Sequence, residues 1–163
     1  MDFQIVQKID GDLDAVEAAL VDPAFLVRMA ELPKLGSAEV INQERDGDVV
    51  HQQVRYLFQA DLSGAVTKVV DPKLLTWVED STCDLASHRT TCEILPDHYQ
   101  DLLSAHFDAE MTADGGQTIR TISGSLKVKI LLVGGRVERS ILGGLEENAV
   151  AQAALLTAWL AAK

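Results

Sequence analysis

The C-terminal segment 133–163 constrains the fold most strongly, because it predicts one long helix with more apolar surface than a lone helix can leave in water. Residues at helical spacing predict the face that packs on the rest of the protein: Ile141, Leu145, Ala149, Gln152, Leu156 and Trp159. Asn148 lies beside this face, whereas Glu138, Glu146 and Glu147 are expected to point away from it. The helix therefore needs a covering layer of secondary structure.

Two glycine pairs lie in this segment and predict different roles. A glycine inside a helix costs about 1 kcal/mol relative to alanine, so Gly143 and Gly144 need a reason. Closeness to a sheet, a kink, or room for a ligand would each provide one. Gly134 and Gly135 more simply predict the turn into the helix.

The N-terminal third of the chain predicts one strand and two short helices. Phe3, Ile5 and Ile9 share one parity, which is typical of a strand with one buried face. Asp12 is a candidate N-cap for a short helix. A second short helix is expected from Pro23 to the residue before Pro33, since proline is favourable at a first helical position and ends a helix that precedes it.

Six strands are predicted between residues 37 and 130. They form three hairpins, 37–45 with 49–59, 74–85 with 88–95, and 102–114 with 117–130. The turns Asp46–Asp48 and Gly115–Gly116 are strong hairpin signals. The segment 60–73 has no clear period, and a short helix or a lid is possible there. No repeat or linker divides the chain, so one domain is expected over 1–163.

This order of elements predicts an α+β fold, in which a curved antiparallel sheet of about seven strands wraps around the long C-terminal helix. The segment "LLTWVED" (74–80) and the terminal helix also resemble the START, polyketide cyclase and birch-pollen-allergen superfamily (SRPBCC, helix-grip fold), near an uncharacterised actinobacterial branch. The resemblance implies an internal cavity for an apolar or amphipathic small molecule, such as a lipid or polyketide-like compound.

Strand parity predicts which side chains face that cavity. A two-residue turn at Gly115–Gly116 pairs Met111 with Arg120 and Phe107 with Gly124. In the middle hairpin, placing Cys83 opposite Cys92 puts Trp77, Glu79, Ser81, His88 and Thr90 on the inner face. The register around Val40 and Ile41 stays ambiguous by one residue. The candidate ligand-binding residues are Gln52, Tyr56, Trp77, Glu79, His88, Thr90, Phe107, Met111, Arg120, Leu145, Asn148 and Gln152.

Three of these candidates have two interpretations each. Arg120 either extends its charge out of the barrel mouth or binds a ligand carboxylate or phosphate. His88 is expected near the same rim, as a structural histidine or as an acid–base partner of Arg120. Glu79 falls toward the opposite end, where burial would raise its pKa and suit it to acid–base chemistry. A register shift would make it a surface residue instead.

Composition excludes several classes of function. The net charge of −11 argues against nucleic acid and anionic membrane surfaces as partners, because both repel an acidic protein. No apolar run is long enough for stable membrane insertion, and the N-terminus lacks a secretion signal, so a cytoplasmic location is expected. Cys83 and Cys92 are expected to be free thiols. The histidines lack ligand-like spacing and no nucleotide motif is present, so no metal and no cofactor is expected.

The sequence leaves three hypotheses for function: a binding protein for a small hydrophobic molecule, a polyketide cyclase or aromatase-like enzyme, and a protein-interaction module with a filled cavity. A cavity below roughly 300 Å³ would favour the interaction module. Converging polar groups with a perturbed pKa would favour an enzyme. Ligand identity and oligomeric partners stay open.

Overall fold

The computed structural model describes residues 1–59 and 61–163. The strands are β1 Asp2–Asp10, β2 Leu35–Asp46, β3 Val49–Phe58, β4 Thr76–Asp84, β5 Arg89–Pro96, β6 Leu103–Asp114 and β7 Gln117–Val128. The α-helices are α1 Leu13–Leu20, α2 Pro23–Leu26, α3 Gly64–Thr67 and α4 Gly134–Ala161. Short 3-10 turns follow α2 at Val27–Glu31 and precede β4 at Pro72–Leu74.

The seven strands form one antiparallel sheet in the order β1-β7-β6-β5-β4-β3-β2. Strands β2 to β7 are a simple meander, and β1 joins the far side of β7. Helix α4 packs on β1 and β7, with α1 and α2 across one end. The predicted helix-grip fold is therefore confirmed.

The solid part of the core lies at the α1–α2 end. Phe25, Ile9, Val16 and Leu156 are fully buried there, and Phe25 meets the ring of Trp159 edge-on at 5.6 Å. Asp22 caps α2 by accepting from the amide of Ala24 over 2.9 Å, directly before Pro23. Asp12 occupies the N-cap position of α1 without a side-chain capping hydrogen bond.

The hairpin registers confirm the predicted strand pairing in one hairpin and correct it in another. In the β6–β7 hairpin, Met111 pairs with Arg120 and Phe107 with Gly124, as predicted. In the β4–β5 hairpin, the predicted pairing of Cys83 with Cys92 is wrong: Cys83 pairs with Thr90, and Cys92 with Ser81. The turn there takes four residues and includes His88 at φ 58, which moves the register by two and preserves parity.

A β-bulge explains the ambiguity of the β2 register. Val40 pairs with Val54 and Asn42 pairs with Gln53, so Ile41 is the extra residue. No single parity could therefore have described the whole strand.

The N-terminal end of α4 corrects one expectation. Glu138 does not point away: it is buried, and its carboxylate accepts a hydrogen bond from the amide of Val128 over 2.9 Å. The same close approach explains why position 134 is a glycine, because a Cβ there would lie 2.5 Å from the Val128 carbonyl oxygen. Gly144 packs beside Lys34 and Phe58, whereas a Cβ at Gly143 would meet nothing within 4 Å.

Of the unassigned segment 60–73, residues 61–73 contain helix α3 and the start of the second 3-10 turn, and Ala60 lies outside the described residues. Within 1–59 and 61–163, no helix has the combined length and apolarity needed to cross a bilayer.

Candidate functional site

A cavity of about 260 Å³ lies between the concave face of the sheet and α4. Its walls are mostly apolar side chains from all seven strands, from α3 and from α4. The lining of the sheet includes Phe3, Ile5, Tyr56, Trp77, Ile94, Ala105, Phe107, Ile122 and Leu126, and that of α4 includes Val137, Ile141, Leu145, Asn148 and Gln152. The predicted hollow interior is present in this structure.

The cavity extends toward the end of the sheet opposite α1 and α2. We call this end the mouth and define it by three segments, 62–75, 97–102 and 129–133. Tyr99 links the first two, because its hydroxyl accepts a hydrogen bond from the amide of Asp71 over 2.9 Å. The amide of Lys129 donates to the carbonyl of Leu102 over 2.8 Å and links the second to the third.

A second cavity of about 60 Å³ lies deeper, toward α1. Gln52, Thr90 and Met111 line it without lining the larger one. Four polar residues border both spaces, and we call them the polar wall: Tyr56, Glu79, Arg120 and Gln152. The apolar cavity thus ends, at its inner side, on a layer of hydrogen-bonding groups.

Arg120 is the centre of the polar wall. Its Nη1 donates to Gln7 Oε1 and to Gln152 Oε1, each over 3.1 Å. The alternative in which Arg120 extends out of the barrel is therefore wrong, because these hydrogen bonds hold its guanidinium between β1 and α4. Burial lowers the pKa of Arg120, although the nearby carboxyl of Glu79 opposes this effect.

The other guanidinium nitrogens of Arg120, Nε and Nη2, donate no hydrogen bond to the described residues. Among the described residues, no deeply buried side-chain nitrogen or oxygen lacks a hydrogen-bond partner. Because both hydrogen bonds of Arg120 come from Nη1, its Nε and Nη2 must have accessible surface. Two cavities border this residue, so those N–H groups are available to a ligand.

Gln7 joins the hydrogen bonds of the polar wall and was not among the predicted site residues. It is buried on β1, where its Nε2 donates to Gln152 Oε1 over 3.0 Å and to the Ala149 carbonyl over 2.7 Å. The signal was present, because Gln7 has the same parity as Ile5 and Ile9. A polar residue on an otherwise apolar strand face indicates a buried partner.

Glu79 is the ionisable carboxyl of the polar wall. Burial raises the pKa of Glu79 to about 7, while hydrogen bonding to Trp77 and the charge of Arg120 limit the rise. Burial also raises the pKa of the Tyr56 hydroxyl, and the carboxyl of Glu79 adds to this effect. Glu79 therefore can exchange a proton near neutral pH within an enclosed, largely apolar space.

The structure brings most of the predicted site residues together. The larger cavity is lined by Tyr56, Trp77, Glu79, Phe107, Arg120, Leu145, Asn148 and Gln152. Gln52, Thr90 and Met111 line the smaller one. Glu79 and Arg120, which were expected at opposite ends, border the same two spaces.

His88 borders neither cavity. Its main-chain carbonyl accepts from the amide of Met111 over 3.0 Å, so it does flank that residue. Its Nδ1, however, lies 2.9 Å from Oε1 of Glu17, a buried residue that lines the smaller cavity. His88 and Arg120 therefore do not form an acid–base pair.

One group of potential metal ligands occurs among the described residues. Single ligand atoms of Asp14, Glu17 and His88 lie within 4.8 Å of one another. The hydrogen-bonded pair of His88 and Glu17 accounts for this approach. Burial raises the pKa of Glu17, and hydrogen bonding to His88 opposes that effect.

Solved structures with this fold extend over nearly the whole chain. Protein TTHA0849 from Thermus thermophilus aligns with a TM-score of 0.70 at 17% identity, over 99% of this chain and 98% of that one. The ZhuI aromatase/cyclase from Streptomyces sp. R1128 gives 0.65 at 14% identity, over 98% and 93%. Ara h 8.0201 gives 0.60 at 12% identity, over 100% and 99%. At such identities the likeness establishes the fold.

Comparison with curated proteins finds no significant match. A family profile, by contrast, matches residues 4–160. The match spans all seven strands and helix α4 almost to its end. The chain therefore belongs to the family described as protein of unknown function (DUF2505).

Proposed function

We propose that this protein binds a small amphipathic molecule in the larger cavity, with the molecule's polar or anionic group against the polar wall and its apolar body along the rest of the lining. The observation that carries the proposal is a largely apolar cavity that ends on Arg120, whose Nε and Nη2 donate to no protein acceptor among the described residues. A carboxylate or phosphate would accept hydrogen bonds from Nε and Nη2 of that guanidinium.

The cavity volume indicates the size of the molecule. An apolar cavity of about 150 Å³ is sufficient for benzene. A volume of about 260 Å³ therefore suits one or two fused rings, or a short acyl chain, rather than a membrane phospholipid. Ligand cavities of this size bury most of their ligand, which favours apolar compounds.

The cavity volume lies slightly below roughly 300 Å³, the size under which an interaction module with a filled cavity would be favoured. The interior is nevertheless hollow, and Phe58, Trp77, Leu145 and Ile141 border open space that larger side chains could have occupied. A module that used only its surface would gain stability by filling this space. We therefore favour binding inside the cavity.

An enzyme of the polyketide cyclase or aromatase kind is the second candidate, and one observation favours it. Glu79, with its pKa raised to about 7, lies beside Arg120 within the same cavity. The carboxyl would move a proton while Arg120 stabilises developing negative charge on a ligand oxygen. One structural relative is described as an aromatase/cyclase, which supports this alternative for the fold.

A cytoplasmic location and the relation to an actinobacterial branch stay predictions and form part of this proposal. Neither a cofactor nor a metal is needed for the binding function that we propose.

Native mass spectrometry of protein purified from its own host tests the proposal. We expect a bound small molecule that solvent extraction releases, with a polar or acidic group and a small apolar body. If nothing copurifies, and if the purified protein also fails to bind 2-naphthoate, the binding function is excluded.

A matched pair of variants locates the binding site. Ala105→Leu adds bulk inside the cavity, whereas Ala154→Leu adds the same bulk on the exposed face of α4. We expect Ala105→Leu to weaken 2-naphthoate binding at least about tenfold, because the ligand loses space that it needs. Ala154→Leu should bind as the wild type does. Equal affinities for all three proteins would place the ligand elsewhere.

A further inference from the structure

Two adjacent leucines beside the mouth are almost fully exposed. Leu131 is 88% exposed and Leu132 is 97% exposed, in the short loop between β7 and α4. Leu132 also has φ 70, a backbone conformation that leucine rarely adopts. The chain thus holds two large apolar side chains in water, where they contribute nothing to the core.

Basic residues surround these leucines. Lys127, Lys129, Arg136 and Arg139 are all exposed, and all lie within thirteen residues of sequence. In the described part of the chain, Lys129, Arg136 and Arg139 form no ion pair, and Lys127 reaches only Glu138 at 4.0 Å. The N-terminal end of α4 adds its positive dipole to this group.

Segment 62–75, which also borders the mouth, likewise exposes apolar and basic side chains. In segment 62–75, Val69 is 48% exposed and Leu74 is 37% exposed, and Lys68 and Lys73 are exposed beside them. The hydrogen bonds from Asp71 to Tyr99 and from Lys129 to Leu102 connect this segment to the leucine loop. Exposed apolar and basic side chains therefore surround the mouth of the cavity, together with the acidic residues Asp71, Asp97 and Asp101, and we call this the mouth surface.

The other end of the molecule carries much of the negative charge. The turns and strand ends opposite the mouth hold the acidic residues Asp10, Asp12, Asp14, Asp46, Asp48, Asp84 and Asp114. The net charge of −11 is therefore unevenly distributed. Near an anionic surface, this asymmetry would turn the mouth toward the surface and the acidic end away.

We propose that the mouth surface docks reversibly on an anionic lipid membrane, with Leu131 and Leu132 entering the interface and Lys129, Arg136 and Arg139 contacting lipid phosphates. A lipid interface fits better than an acidic protein, because it accepts protruding side chains without a complementary pocket. The two leucines lie in a turn, where both side chains are almost fully exposed.

Docking of this kind would explain the orientation of the cavity. A molecule dissolved in a bilayer presents its polar group at the surface, so that group would enter the mouth first. It would reach the polar wall, and its apolar part would follow along the cavity lining. The docking proposal itself does not depend on what the cavity holds.

Vesicle flotation with the ligand-free protein tests the proposal. We expect binding to vesicles of equal parts phosphatidylcholine and phosphatidylglycerol at low salt, little binding to phosphatidylcholine alone, and release as salt is raised. Each of Lys129→Gln, Arg136→Gln and Arg139→Gln should weaken binding about fivefold, since a basic residue near an anionic surface contributes about 1 kcal/mol. The pair Leu131→Ser and Leu132→Asn should weaken it about tenfold or more.

Val150→Ser and Arg45→Gln are the matched controls, since both residues are exposed at a distance from the mouth. Both should bind vesicles as the wild type does, and thermal unfolding should show that all variants are folded. Failure of the wild type to float with anionic vesicles would overturn the proposal, as would loss of binding in the controls. Binding to an acidic polypeptide without vesicle binding would overturn it in favour of a protein partner. None of these results depends on 2-naphthoate binding.

Discussion

Gln7 on β1 and Gln152 on α4 are hydrogen bonded to each other over 3.0 Å, and each also accepts a hydrogen bond from Arg120. The two amides therefore remain partly paired if the guanidinium is removed. Loss of Arg120 would leave Gln7 Oε1 without its donor while the hydrogen bond between Gln7 and Gln152 persists, so a substitution of Arg120 affects stability as well as binding.

Arg120→Met should reduce the affinity for an anionic ligand selectively. We expect 2-naphthoate to bind about 10- to 100-fold more weakly, because a charge-assisted hydrogen bond in a desolvated site contributes about 1.5–3 kcal/mol. Titration followed by naphthalene fluorescence measures this change.

The neutral compound 2-methylnaphthalene is the control ligand for this variant. It should bind the wild type and Arg120→Met within about threefold, because it has no group that accepts from the guanidinium. Equal loss of both ligands would show that the substitution disturbs the cavity rather than an anion contact.

Glu79→Gln should change the pH dependence of stability. The pKa of Glu79 is about 7 in the folded protein against 4.5 for the ordinary carboxyl, so the folded state holds its proton more strongly. The wild type therefore loses stability as pH rises from about 4.5 through 7, by up to about 3 kcal/mol. Urea unfolding at about pH 5 and about pH 8 should show the variant more stable than the wild type only at the higher value.

Glu93→Gln is the matched control for Glu79→Gln, because Glu93 is exposed on the convex face of β5. Its pH profile should follow that of the wild type. A Glu79→Gln profile parallel to the wild type would show that the carboxyl is not the buried titrating group.

Gly124→Ala should destabilise the fold strongly. A Cβ at Gly124 would lie 2.7 Å from Phe3 Cζ and 2.8 Å from Phe107 Cβ, and it would also meet the main-chain oxygen of His106. We expect a loss of about 1–3 kcal/mol in the free energy of unfolding, since neighbours on both flanking strands must shift.

Gly143→Ala provides the contrasting substitution. A Cβ there would meet nothing within 4 Å, so the gain in helix propensity should stabilise the protein by about 0.5–1 kcal/mol. Equal effects of the two glycine substitutions, measured by urea unfolding, would contradict the packing that the structure describes.

Cys83 and Cys92 should remain free and unreactive in the native protein. Both are buried, and burial raises the pKa of each thiol, so little thiolate is present. A thiol reagent should label both only when the protein unfolds. Rapid labelling under native conditions, or a disulfide after mild oxidation, would contradict this expectation.

Local sequence patterns predicted the fold where a short turn fixes the register. The two-residue turn at Gly115 and Gly116 gave the β6–β7 pairing correctly, because few alternatives exist for such a turn. The β4–β5 pairing was two residues out, since nothing local revealed that His88 belongs to the turn. Parity was unaffected, so the inward-facing set was correct for Trp77, Glu79, Ser81 and Thr90, whereas His88 lies in the turn and borders neither cavity.

The polar wall could be predicted only in part. Tyr56 and Glu79 follow from strand parity and Gln152 from helical spacing, but the pairing of Arg120 with Gln7 depends on β1 lying beside β7, more than a hundred residues away in the chain. The mouth could not be predicted, because segment 62–75 has no periodicity and is placed by contacts such as that between Asp71 and Tyr99.

Strands β1 and β2 form opposite edges of the sheet, and α1, α2 and the 3-10 turn Val27–Glu31 connect them along the chain. A sheet that never closes on itself can open or tighten its curvature without breaking a ladder hydrogen bond between strands. The width of the cavity can therefore change when the two short helices repack. We expect relatives with the same strand order to bind ligands of quite different size.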